Sequence, residues 1–315
     1  MRKEGGSMIK TNKKKISYVS IALCAILVVY TLVFLFLIFW GVLTSFKTND
    51  DITLWENYFG LPRHWDTREL LKPWEWEWKN YTTIVEYFNL PLTRNGRRIT
   101  VPFYTQVAYS VIYTVGCAFF STLAPCMVAY ATSKFRYAFN KVIDIVVLIT
   151  MIVPIVGSAM SMVSTLHALH IYDTFFGIFV QKFHFTGMYY LVFGAVFKGV
   201  SKEYYDAAHL DGASEFAVMT RIAFPLVLSS FALAFLLHFM QFWNDYQTLL
   251  LYAPSHPSIA YGLFRVMTDS TGATALGSIP VRMAGCVIVA VPLIIVFLIF
   301  RNKLMGNFTI GGVKE

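Results

Sequence analysis

Charge is scarce in this chain. Only 14% of its 315 residues are Asp, Glu, Lys or Arg, while 57% are hydrophobic. Soluble domains carry about a quarter charged residues, so this chain cannot cover a water-facing surface in the ordinary way. Acidic residues are the scarcer sign, 18 against 26 basic, which leaves a net charge of +8. Cysteines number four, and Cys24, Cys117, Cys126 and Cys286 all fall in apolar runs. None has the close Cys or His spacing of a zinc site, and they read as small packing residues. Missing too are a G-x-x-x-x-G-K-[ST] phosphate loop, an H-E-x-x-H pair and a G-x-S-x-G elbow, which excludes ATP binding by that loop and two hydrolytic chemistries. Gly/Ser-rich linkers, heptads, low-complexity tracts and an internal repeat are also absent.

What the chain has in abundance is long apolar runs. A run of about 20 such residues spans a bilayer as a helix, because backbone groups in lipid must satisfy one another. Six spans are expected, at about Ile21–Leu43, Val107–Ala131, Val142–Val163, Phe175–Lys198, Pro225–Tyr252 and Met283–Phe300. The fold class is therefore an all-α integral membrane protein with six transmembrane helices. Its organisation reads as a basic tail (1–20), a first membrane helix (21–47), a Trp-rich segment (48–102), a membrane core (103–300) with a polar loop at 199–224, and a C-terminal tail (301–315).

Lys and Arg collect in the N-terminal tail (Arg2, Lys3, Lys10, Lys13, Lys14, Lys15), after the second span (Lys134, Arg136, Lys141) and after the last (Arg301, Lys303). An even number of spans puts all of these on one side, and the loop His167–Asp173 on the other side has no Lys or Arg. By the positive-inside rule both termini and the 199–224 loop are cytoplasmic, in a multi-pass cell-membrane protein. Basic residues that gather at membrane boundaries give no single cationic face, so nucleic acid is not expected as a partner. The first apolar run is too long for a signal-peptide core and has no small-residue cleavage site after it, so it reads as retained.

The loop carries the most specific pattern, EYYDAAHLDGASEFAVMTRIAFPL from Glu203 to Leu226. Small Ala207 and Ala208 allow another surface close to a short helix. Gly212 permits a turn that a side chain would resist, and Pro225 suits the first turn of the next helix. By itself this describes an amphipathic connector. The positions Asp206, Ala207, Ala208, Asp211, Gly212, Ile222 and Pro225 also resemble the EAA loop of the membrane subunits of ATP-binding-cassette importers. Asp206 stands where that family has Glu, and Phe224-Pro225 where it has Leu-Pro.

The resemblance extends through FGLPRHW (59–65), KNYTTIVE (79–86), AYATSKFRY (129–137), FWNDYQTLLLY (242–252) and FTIGGVKE (308–315), which together look like the maltose-permease type of carbohydrate importer. It implies a permease subunit that works by alternating access. Its implied partners are a second homologous permease subunit, a cytoplasmic ATPase dimer that docks at Asp206–Gly212, an extracytoplasmic substrate-binding protein, and a carbohydrate solute. The chain itself is then no enzyme and holds no cofactor. ATP and Mg belong to the ATPase.

Two places suit a solute path. In the fifth span Gln241, Trp243, Asn244, Asp245 and Tyr246 interrupt Leu and Phe, and a flat aromatic beside amides and carboxylates matches a sugar's ring faces and hydroxyls. A hydrogen-bonded interface between helices accounts for them equally. In the fourth span, Lys182 and His184 precede Gly187. They mark either a broken helix beside a water-filled path or the outer end of a shorter span.

Pro125 and Pro154 are expected to kink their helices. Asp144 reads as an interfacial charge near Lys141, and His238 as a satisfied packing residue. The Trp-rich segment, external in this topology and carrying Trp55, Trp65, Trp74, Trp76 and Trp78, reads as an interfacial anchor or, together with an external loop near Pro254–Arg265, as a docking surface for the binding protein. The alternatives are an importer permease of the same kind for a non-sugar solute and a gradient-driven secondary transporter, which has few buried carboxylates to couple ions, chiefly Asp144 and Asp245.

Overall fold

The computed structural model describes residues 18–54, 56–64, 69–94, 97–135, 137–153, 157–268 and 278–307. The basic tail ahead of Tyr18, Trp55, Trp65, Arg136, Pro154 and the closing Phe308–Glu315 lie outside the described residues. The chain divides into two compact units, residues 1–77 and 78–315.

The first unit is built on helix α1, Tyr18–Ser45, which has no charged residue and whose side chains are exposed along most of its length. Such a helix is hydrophobic all round, as a bilayer demands. A short helix α2, Asn49–Thr53, is capped by Thr48, whose hydroxyl accepts from Asp51 N. Buried Asp51 accepts from Asn57 Nδ2 at 2.9 Å and from Arg63 N at 3.2 Å, so the loop folds back around a satisfied carboxylate. Of the three described Trp residues in the 48–102 segment, Trp76 is engaged locally: its ring meets Phe46 at 5.1 Å and its Nε1 donates to Leu71 O. Trp74, which like Trp76 belongs to this unit, and Trp78, the first residue of the second unit, are both exposed.

In the second unit the segment continues as α3, Lys79–Tyr87, and an antiparallel hairpin of β1, Leu90–Arg94, and β2, Arg97–Val101, in register Leu90↔Val101. The hairpin was not expected. The Asn95-Gly96 dipeptide between its strands is the sequence signal for it.

The membrane core is organised on α4, Phe103–Lys134, a 32-residue helix that passes through Pro125. Against it pack α8, Met188–Lys198, and α11, Phe224–Trp243, with α5, Phe139–Ile152, α6, Ser158–Ala168, and α7, Phe175–Lys182, in the chain between. Then come α9, Lys202–Leu210, and α10, Glu215–Val218. A π-helical turn, Met219–Ala223, joins α10 to α11, so that Glu215–Trp243 runs as 29 continuous residues. After α11 follow α12, Gln247–Tyr252, α13, Ile259–Thr268, and α14, Ile279–Asn307. Among the described residues, four helices are long and apolar enough to cross a membrane: Tyr18–Ser45, Phe103–Lys134, Glu215–Trp243 and Ile279–Arg301.

The expected third and fourth spans are each divided, into α5 with α6 and α7 with α8. The fifth is interrupted at residues 244–246 before α12. Helix α13 was expected as external loop. It buries Ile259, Ala260, Tyr261 and Val266, and its Gly262 approaches Gln106 and Phe88 so closely that a Cβ would collide with both. Asp144 turns toward α8 and accepts from the Tyr190 hydroxyl at 2.7 Å, and the same hydroxyl lies 3.0 Å from Thr132 Oγ1. His238 is buried as expected, 2.9 Å from Thr122 Oγ1, with its ring centroid 4.2 Å from that of Tyr189.

Candidate functional site

The loop between α8 and α11 is rigidly made. Ser201 caps α9 through Glu203 N at 3.3 Å, and Glu203 lies in the first turn, where an acid complements the helix dipole. At the other end Gly212 N donates to His209 O at 3.0 Å and Ala213 N to Ala208 O at 2.9 Å. With Gly212 at φ +79°, this is a Schellman stop. The sequence pattern D-G-A-S encodes it directly, since Ser214 at once caps the next helix through Ala217 N.

Within α9 the two faces differ. Tyr205 and Ala208, three residues apart, are buried against the helix core, whereas Asp206, Ala207, Leu210, Asp211 and Gly212 are exposed. Leu210 is 90% exposed. Ile222 packs on the same core as Ala208, and Pro225 occupies the first turn of α11. The seven positions picked from sequence therefore divide into an outward patch, Asp206, Ala207, Asp211 and Gly212, and an anchoring set, Ala208, Ile222 and Pro225.

Lys134, at the end of α4, fastens this loop to the core. Its Nζ is 2.6 Å from Glu215 Oε2 and 3.4 Å from His209 Nε2, and it lies 5.1 Å over the Tyr205 ring. Its side chain is 11% exposed but that of Glu215 is 56% exposed, so water screens the contact as it does a surface pair. Burial, together with Tyr130 nearby, pushes the Tyr205 phenol above its ordinary range, while Lys134 pulls the other way. Sequence reading had given Lys134 only a topological meaning. Its pairing with residue 215 across 81 positions exists only in three dimensions.

The second candidate region lies where two helices break. Between α7 and α8 the chain leaves helical geometry at Phe183–Gly187, and Gly187 has φ +125°. Ser121 Oγ donates to Lys182 O at 3.3 Å, and Ser121 is near the midpoint of α4. The non-helical stretch before α8 fits both readings of Lys182, a broken helix and the outer end of a shorter span, and it lies beside the middle of α4.

From Lys182 Nζ a polar seam runs to Thr248 Oγ1 at 3.4 Å. Thr248 Oγ1 donates to Asp245 Oδ2 at 2.6 Å, and the Tyr113 hydroxyl donates to the same oxygen at 2.8 Å. The seam joins α4, α7 and α12 with the break after α11.

The fifth-span residues are not gathered around one cavity. Gln241 and Asn244 are exposed, and Asn244 Nδ2 donates to Met240 O of its own helix. Tyr246 stacks on Phe264 with ring centroids 4.3 Å apart. Trp243, read as a platform for sugar rings or as part of a hydrogen-bonded helix interface, is 5% exposed in the packing of α11 against α14, where its Nε1 donates to Val289 O at 2.9 Å. His184 is exposed in the α7–α8 break. Thr248 and Tyr113 were missed from sequence; a hydroxyl in an apolar helix carries no local signal of its partner.

The family model described as binding-protein-dependent transport system inner membrane component matches residues 121–305. Among similar proteins, the arabinooligosaccharides transport system permease protein AraQ of Bacillus subtilis (strain 168) is 24% identical over 73% of this chain and 80% of its own length. The maltodextrin transport system permease protein MdxG of the same organism is 26% identical over 60% of this chain and 67% of its own. Among solved structures, a chain of a bacterial ABC transporter involved in the import of the acidic polysaccharide alginate aligns with TM-score 0.69. It shares 19% identity and covers 92% of this chain and 99% of that one, a likeness of fold.

Proposed function

Since the chain belongs to the family of binding-protein-dependent transport system inner membrane components, we propose that it is the six-span permease subunit of an ATP-driven importer for a sugar or oligosaccharide. The observation that carries this is the loop between α8 and α11: a capped, Schellman-terminated helix fastened to the core by Lys134, with an outward patch at Asp206, Ala207, Leu210, Asp211 and Gly212 that none of the described residues covers. Such a patch suits docking into a cleft of a cytoplasmic ATPase dimer that carries ATP and Mg. The names of the permeases AraQ and MdxG support an oligosaccharide as the solute.

In this reading the six spans are α1, α4, α5 with α6, α7 with α8, Glu215–Trp243 with α12, and α14. Both termini and α9 face the cytoplasm, in keeping with the Lys and Arg distribution. A second homologous permease subunit completes the pathway, and an extracytoplasmic protein delivers the solute. ATP binding closes the ATPase dimer, α9 moves with it, and Lys134 passes the displacement to α4 while the continuous helix from Glu215 passes it to α11. The solute path uses the breaks, with Lys182, His184, Gln241, Asn244 and Tyr246 as lining residues and Trp243 bracing the wall from behind.

Purification of the chain from its native membrane in mild detergent tests this. An ATPase pair and a second permease are expected to co-purify, and the complex to hydrolyse ATP. A chain that purifies alone and moves solute down an ion gradient in liposomes overturns the reading.

A further inference from the structure

Two cavities of opposite chemistry meet at the end of α4 that carries Lys134. One, of about 210 Å³, is an apolar groove between α4, α8 and the π-helical turn, lined by Leu123, Cys126, Met127, Phe197, Ala223 and Phe224. Met127 is 43% exposed, so the groove opens on the flank of the helices. The other, of about 430 Å³, lies among the ends of α4 and α8 and the start of α9, with Lys134, Lys198, Lys202, Asp206 and His209 on its walls. Tyr130 and Phe197 line both. Along α4 the combined lining runs from Leu123 to Lys134, about 16 Å of helix.

The charges of the second cavity do not cancel. Lys134 is engaged by Glu215, which also lies 3.4 Å from His209. Lys198 and Lys202 are exposed and, among the described residues, form no ion pair. Lys202 stands in the first turn of α9, where the helix dipole disfavours a cation, so the helix itself gives no reason for it. Against these two lysines the walls hold one carboxylate, Asp206, which leaves one positive charge unmatched. Tyr130 buries its hydroxyl without a hydrogen bond of ordinary geometry, in the field of Lys134.

We propose that the two cavities together bind one anionic phospholipid of the cytoplasmic leaflet, its acyl chain along the groove and its phosphodiester, of the phosphatidylglycerol kind, held by Lys198 and Lys202 beside the coupling loop. The permease reading above supplies the cytoplasmic position of the basic end. A soluble anion leaves the groove empty, and a neutral apolar molecule leaves the lysines unmatched, whereas an amphiphile fills both. Its phosphate oxygens accept from the two ammonium groups and from the Tyr130 hydroxyl. Headgroup charge then selects among lipids. Phosphatidylcholine and phosphatidylethanolamine are zwitterions without net charge, while phosphatidylglycerol brings the single negative charge that the walls lack. Basic pockets between membrane helices on the cytoplasmic side collect anionic headgroups in this way.

The test uses the complete importer, with its ATPase and second permease subunit, reconstituted in nanodiscs of phosphatidylcholine, phosphatidylethanolamine and phosphatidylglycerol in equal parts. After extraction in mild detergent, native mass spectrometry identifies the phospholipids that stay bound, and titration with phosphatidylglycerol gives their affinity. Enrichment of phosphatidylglycerol over the two zwitterions is expected. A lysine facing an anionic headgroup is worth roughly fivefold in affinity, so Lys198→Gln combined with Lys202→Gln should weaken binding about twenty-fivefold. Met127→Trp, which fills the mouth of the groove and keeps every lysine, should weaken it as well.

Retention of no phospholipid, equal retention of all three, or binding that the paired lysine variant leaves unchanged overturns the inference. So does binding that Met127→Trp leaves undiminished, because the site then takes a phosphate group without its lipid. In each of these results the permease reading stands so long as the ATPase co-purifies, and that reading fails separately if no ATPase accompanies the chain.

Discussion

Gly212→Val is expected to abolish most solute uptake while the chain still inserts in the membrane. Gly212 holds φ +79°, and a Cβ placed there meets nothing within 4 Å. The penalty is therefore conformational and not a collision: about 1–2 kcal/mol for an L residue in this region, with a β-branched side chain at the upper end. The strain falls on the bond from Ala213 N to Ala208 O and on the turn that positions Ser214 and Glu215. Since about 1.4 kcal/mol is a factor of ten in an equilibrium, displacement of the docked geometry by this amount should reduce ATP-dependent uptake in vesicles by about tenfold. Gly212→Asn should retain more, because Asn visits left-handed conformations at low cost. Equal uptake by the wild type and Gly212→Val, at equal membrane content, removes this turn from the coupling role.

Asp245→Ala should have the largest effect on stability. The Asp245 carboxylate accepts three hydrogen bonds, and Tyr113 is 0% exposed, so its hydroxyl has no access to water once that acceptor is gone. An orphaned buried hydroxyl costs about 1–3 kcal/mol. Thr248 loses its acceptor too, and Lys182 loses the opposite charge at the other end of the seam, so a total of about 2–4 kcal/mol is expected. The readout is thermal unfolding in detergent, with a Tm lower by several degrees. Asp245→Asn keeps an oxygen for the Tyr113 hydroxyl and should lose less. An unchanged Tm in Asp245→Ala would mean that the two helix breaks are held by packing alone.

Much of this arrangement can be read in the sequence where physics is local. Helices α1, α4 and α14 each exceed the length at which an apolar run has no alternative to spanning lipid; α1 and α4 were placed within a few residues, and α14 runs past the expected Phe300 to Asn307. The stop at Gly212 was legible because glycine at a positive φ is a local requirement, and Gly187 was singled out for the same reason as one of two readings. Carbohydrate importer permeases were named from the pattern Asp206-Ala207-Ala208 to Pro225 and its companion segments, and the family model and the relatives AraQ and MdxG agree with that.

What failed was non-local. Helix α13 reads as a loop because Pro254 and Pro257 precede it, Arg265 lies within it and it is only 10 residues long, while its apolar side finds cover on α3, α4 and α14. Trp243 has the chemistry of a sugar platform, but its position on α11, one turn after Phe239, turns the indole toward α14, where Val289 O takes its N–H. The seam Tyr113–Asp245–Thr248–Lys182 joins residues up to 132 positions apart, a juxtaposition that no window of sequence contains.

The decisive measurement is thiol crosslinking at the outward patch of α9. The four native cysteines lie in α1, α4 and α14 and none belongs to the loop, two of them being buried, so Leu210→Cys, at a position 90% exposed, introduces a thiol that a short bifunctional reagent reaches readily. In vesicles containing the intact complex, a product is expected at the combined mass of this chain and one ATPase subunit, with a yield that changes when ATP is bound. Crosslinking of Leu210→Cys only to lipid-facing or extracytoplasmic partners, with the ATPase attached elsewhere on the chain, would contradict the assignment of this loop as the coupling segment.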